Sequence, residues 1–119
     1  MRPITNHIES ALLQTIADVA GLDGTDRQKP IMVIEAIRTS DWASATFIGK
    51  VHAFDLRIEG LAITVATAMA ALATKLVDRE VALLGQIVAE IELLPGDTDL
   101  ISDHIISKAL TVNVLTIRD

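Results

Sequence analysis

The stretch V-H-A-F-D-L-R-I-E-G, Val51 to Gly60, alternates between residue classes with a period of two. Successive side chains of an extended strand point to opposite faces, whereas a helix would scatter the same residues around its axis. The pattern therefore predicts a strand with Phe54, Leu56 and Ile58 on a dry face, His52 at one end of that row, and Asp55, Arg57 and Glu59 on a wet face. Such a strand belongs to an antiparallel sheet that meets water on one side and needs a second layer on the other.

The residues just upstream extend the pattern into a hairpin. Gly49-Lys50 suits a two-residue turn with Gly at its first central position. Ile48 would then face Val51, Phe47 would face His52, and the pairs would run outward to Trp42 and Arg57. This register puts Ala43, Ala45 and Phe47 on the dry face, and Trp42, Ser44, Thr46, Ile48, Val51 and Ala53 on the other. Arg57 over Trp42 would add a cation–π contact of about 0.5–1 kcal/mol.

The flanking segments supply the second layer. Asn6 and Glu9 have the spacing of a capping box, and Ile8, Leu12, Ile16 and Val19 follow at helical spacing up to Gly21. Residues 21 to 30 read as a loop, and Ile31 to Thr39 as a strand on its β-branched content, although Ile31, Ile34 and Ile37 also suit a helical turn. After Gly60 a second helix is predicted from Leu61 to about Asp78, with Leu61, Val65, Met69, Leu72 and Leu76 inward and Thr64, Thr67, Ala71 and Lys75 opposite. A helix this apolar all round is usually covered on more than one side.

Val81 to Leu94 alternates again, with Val81, Leu83, Ile87, Ala89, Ile91 and Leu93 on one face, and Pro95-Gly96-Asp97 is expected to end it. Thr98 or Asp99 would cap a short helical turn through His104. The last strand is expected from Ile106 to Ile117, with Leu110, Val112 and Val114 inward and Thr111 and Asn113 outward. The expected fold is a single α+β domain over residues 1–119. It is a two-layer sandwich, with an antiparallel sheet of four to five strands and two main helices in the order α-β-β-β-α-β-β. No internal repeat, linker or low-complexity segment stands out.

Composition narrows the function. Of 119 residues half are hydrophobic, but with one Trp, two Phe and no Tyr the core must be aliphatic. The net charge of −6 and the lack of a basic run argue against nucleic acid and anionic membranes, and no aromatic platform suits single strands. Without Cys there are no disulfides, thiolate ligands or Cys nucleophiles. The N-terminal residues lack the apolar core of a signal peptide, and Leu61 to Thr74 falls short of the ~20 residues that span a bilayer. The expected location is cytoplasmic.

Several residues invite a functional reading. His52 beside Asp55, Arg57 and Glu59 could do acid–base chemistry only if a carboxylate shared its face, which the alternation denies. His52 alone is a candidate catalytic or ligand-binding group if a pocket reaches it between sheet and helices. Asp99, Asp103 and His104 are weak candidates for a metal site, because only the two Asp, four apart, share a helical face. The Asp/Gly/Thr loops at residues 23–26 and 96–99 lack the ligand spacing of an EF-hand, and turn formation explains them. Neither a phosphate-binding glycine loop nor a nucleophile elbow occurs, and no cofactor is expected.

The motif W-A-S-A-T-F-x-G-x-x-H, Trp42 to His52, resembles the hairpin of a group of small uncharacterised alphaproteobacterial proteins. That resemblance implies no particular activity. The residues favour a non-enzymatic domain acting as a homodimer or partner-binding module, with Trp42, Ile48, Val51 and Ala71 at its interface. The alternative is a small-molecule binder or cofactorless enzyme built around His52.

Overall fold

The computed structural model describes residues 7–22, 29–81, 83 and 85–118. The elements are α1 (His7–Ala20), β1 (Ile31–Ala43), β2 (Ile48–Leu61), α2 (Ala62–Lys75), β3 (Gln86–Leu100) and β4 (Ile105–Arg118). All pairings are antiparallel and the sheet order is β1-β2-β4-β3. The chain thus runs helix-then-hairpin twice, and β2 and β4 meet at the centre. The protein is an α+β sandwich, as its alternation implies, with four strands in the order α-β-β-α-β-β.

The core lies between sheet and helices. From the sheet, Phe54, Leu56, Ile58, Leu110, Val112 and Val114 point into it. Leu12, Ile16, Val65, Leu72 and Leu76 close over them from the helical side, Leu76 just beyond the end of α2. Each such side chain contributes about 1.5–3 kcal/mol when fully buried.

Of the four to five strands expected, four are present among the described residues, and the difference from the expected order lies in the hairpin. The expected strand at 31–39 runs on to Ala43 as β1, residues 42–48 do not form a strand of their own, and the turn is Ser44 to Phe47 rather than Gly49-Lys50. Ser44 makes that turn locally: its hydroxyl accepts from the backbone N–H of Phe47 at 3.0 Å, and its own N–H donates to the Phe47 carbonyl at 2.8 Å. Trp42 therefore pairs with Gly49, Thr39 with His52 and Val33 with Arg57. The expected contact between Trp42 and Arg57 is not formed, and Phe47, expected inside, is 52% exposed. Gly49 serves a different purpose. A Cβ there would collide with the Thr116 carbonyl oxygen of β4, so glycine permits the close approach of two central strands.

The edge strand β3 departs further. Pro95-Gly96-Asp97 does not end it; an irregularity between Pro95 and Thr98 carries the strand on to Leu100. Proline, lacking an N–H, is tolerated on an edge. The expected helical turn through His104 is instead the connection into β4. A second irregularity between Val88 and Glu90 shifts the parity, so Ile87 and Ala89 turn outward while Ile91 stays buried. In α2 the helix ends at Lys75 rather than Asp78, and Leu61, expected inside, is 44% exposed at its N-terminal boundary.

Candidate functional site

His52 sits on the inward row of β2, 1% exposed. Its Nε2 lies 3.0 Å from Oγ1 of Thr116 on β4, and the Thr116 hydroxyl is 3.4 Å from the Lys50 carbonyl. With that hydroxyl donating to the carbonyl, Nε2 must carry the proton and donate to Thr116. Nδ1 is then a buried lone pair with no hydrogen-bond partner among the described residues. Glu9 of α1 closes over the same region, 1% exposed, with Oε1 3.5 Å from the Thr39 hydroxyl of β1. Burial pushes the His52 pKa below its ordinary 6.5; Glu9 pulls it up and Lys50 pushes it down. A neutral imidazole held by one hydroxyl suits a packed interior.

The sequence pattern predicts a capping role for Glu9. Asn6, its expected partner, lies outside the described residues, as does the loop at 23–26. What places Glu9 inside is the helical spacing it shares with Leu12, Leu13 and Ile16. That spacing is a signal the sequence itself carries.

On the opposite face of the sheet, Arg57 ties three strands together. Its Nε donates to Ser107 Oγ at 2.6 Å and one terminal nitrogen to Asp99 Oδ2 at 2.7 Å, while Ser107 donates to Glu59 at 2.8 Å. Asp55 accepts from Arg38 at 2.8 Å and from Thr111 at 2.9 Å. These carboxylates are occupied with cross-strand partners, and the sheet separates them from His52. Sequence reasoning missed Ser107, which is 2% exposed beneath Arg57 although it lies on the outer face. Asp99 is engaged by Arg57, and Asp103 and His104 lie in the β3–β4 connection. Among the described residues no three acidic or histidine side chains gather as a metal-ligand set.

Three open clefts stand out among the described residues, and none of these three is lined by His52. The first, about 480 Å³, lies where the β1–β2 turn meets the start of β3 and is lined by Trp42, Ala43, Ile48, Lys50, Gln86 and Arg118, among others. Of the expected interface residues, Ile48 is 52% exposed, and Trp42, Val51 and Ala71 are half-buried. The register places most of the exposed large apolar residues of the sheet at two opposite ends, with Leu94, 46% exposed, between them. Phe47, Ile48 and Ile87 lie at the end with the β1–β2 turn; Ile31, Leu61, Leu100 and Ile101 lie at the end with the β3–β4 connection.

These features define an α+β sandwich whose one buried histidine is closed off and whose apolar surface is open. No family model matches the chain, and no curated protein matches it. Among solved structures it is similar in fold to a chain from the virion of a native gene transfer agent (GTA) particle. The TM-score is 0.65 at 16% identity, over 92% of this chain and 94% of that one. Among the described residues no helix is long and apolar enough to cross a membrane.

Proposed function

We propose that the protein is a non-enzymatic structural subunit that works by docking to copies of itself or to other subunits of a multi-protein particle. The observation that carries this reading is the placement of Phe47, Ile48, Ile87, Leu100 and Ile101, all more than half exposed, at the two ends of the sheet. Exposed apolar clusters of this kind mark contact surfaces. The likeness in fold to a chain of a GTA virion, over 92% of this chain, supports a place in such a particle. A homodimer is the smallest form the contact could take.

Sedimentation velocity from micromolar to near-millimolar concentration tests the reading. Mass increasing with concentration is the expected outcome. A strict monomer throughout would remove self-docking.

A further inference from the structure

The two ends of the sheet differ in shape and charge, and each has what the other lacks. At one end is a concave cleft. Trp42 and Ile48 form its apolar part, and Lys50 and Arg118 bring positive charge. Asp41 answers Lys50 at 2.8 Å, while Arg118 has no ion pair among the described residues. At the other end the connection from β3 to β4 stands out from the sheet. Leu100 is 71% and Ile101 56% exposed, and Asp97, Asp99 and Asp103 flank them. This knob is held in shape from within, because the N–H groups of Ile101 and Ser102 both donate to the Ile105 carbonyl, at 2.8 and 3.2 Å. A preformed turn loses little conformational freedom on docking.

The knob cannot reach the cleft of its own chain. The strands between them are 13 to 15 residues long, and at ~3.3 Å per residue they hold the two ends roughly 40 Å apart. Any contact between these surfaces joins two molecules.

Resting on the subunit reading above, we propose that the Leu100–Asp103 knob of one copy docks in the Trp42–Ile48 cleft of a second copy. The aliphatic side chains enter the apolar part, and Asp103 approaches Arg118. A second copy is the occupant because the matching apolar and charged pieces are both on this chain, one at each end. The contact is head-to-tail rather than two-fold. Each docked pair keeps one free knob and one free cleft, so association continues until it closes into a ring or runs on as a chain.

The test uses two surface variants. Ile48→Asp spoils the cleft and Ile101→Asp spoils the knob. Both positions are more than half exposed, so both variants should keep the wild-type melting curve. In sedimentation velocity the wild type is expected to form species larger than a dimer, and each variant alone to remain a monomer. An equimolar mixture restores one intact knob and one intact cleft, so it gives dimers and nothing larger. The exposed charge pair supplies an independent check. Arg118→Glu should weaken association at least about tenfold, and Asp103→Arg in the same chain should restore it.

Variants that associate like the wild type, or a mixture that stays monomeric while the wild type associates, would overturn the knob-and-cleft contact and leave the subunit reading standing. A wild type that stays monomeric overturns the knob-and-cleft contact and removes self-docking from the subunit reading, leaving only docking to other subunits.

Discussion

The helices α1 and α2 stand in equivalent places, each leading into a hairpin, yet they are buried to different depths. In α1 the residues Ile8, Leu12, Leu13, Ile16 and Val19 are buried and the outward positions are polar, with Gln14 bonded to Asp18 at 2.9 Å. In α2 only Val65, Ala68 and Leu72 are buried, while Ile63, Ala66, Ala70 and Ala73 face solvent. Even the outward threonines of α2 turn inward chemically, since the Thr67 and Thr74 hydroxyls donate to the Ile63 and Ala70 carbonyls at 2.9 Å. Helix α2 carries fewer polar side chains than α1 and is nevertheless the less covered. Apolar content sets what a helix could bury; the neighbouring layer sets what it does bury.

One chemical change made in both helices should expose this difference most strongly. Ile16→Ala removes a side chain that is 1% exposed and should cost about 2–5 kcal/mol in urea unfolding. The same change at Ile63, which is 76% exposed, should stay within about 0.5 kcal/mol. Equal costs would mean that the outer side of α2 is covered in solution, and the contrast between the helices would collapse.

A smaller effect is expected where a sheet face lies uncovered but is tied by polar groups. Arg57→Ala strands Asp99 and Ser107, and should cost about 1–3 kcal/mol by denaturant midpoint. A neutral result would mean that the network on the outer face adds nothing to the strands it joins.

The cover that α1 gives to His52 should show in the dependence of stability on pH. The folded pKa lies below 6.5, so the unfolded chain binds the proton first on acidification. Stability linked to His52 is complete above about pH 6.5 and is lost as the pH falls from there toward the folded value. In His52→Leu that part of the decline should vanish from melts at neutral and mildly acidic pH. An unchanged slope would show that the imidazole meets water in the native state.

The smallest effect sharpens the same contrast on α2. Thr67→Ala removes a β-branched residue from an exposed helical position and should raise stability by about 0.5 kcal/mol. A measurable loss would mean that the Thr67 methyl group packs against something.

Much of the central sheet is legible in the alternation of residue classes. The inward row Phe54, Leu56, Ile58 and the inward row Leu110, Val112, Val114 follow from that period alone, because β2 and β4 are paired on both sides and their mutual register contains no irregularity. The edges are harder to read. In β3 two irregularities break the period-two count, and nothing in I-V-A-E announces the first of them. Gly49 misleads because a glycine that admits a neighbouring backbone looks the same in sequence as a glycine that makes a turn. The turn itself is signalled by Ser44, whose hydroxyl serves as a local backbone partner. Of the candidate groups, the separation of His52 from Asp55 is legible, whereas Glu9 and Thr116 as neighbours of the imidazole are not, since they come from elements far away in the chain.

By itself the sequence determined the parity of the central strands, the presence of two helices and the aliphatic character of the core. Those properties follow from covalent geometry, which sends successive side chains of a strand to opposite sides and repeats a helix every 3.6 residues. The tertiary structure alone decided which side of α2 stays bare, why residue 49 must lack a side chain, and that Leu100 and Ile101 project at the far end from the Trp42 cleft. Each of these depends on which distant segment lies alongside, and the distance between two parts of a chain in space is not written in their local pattern.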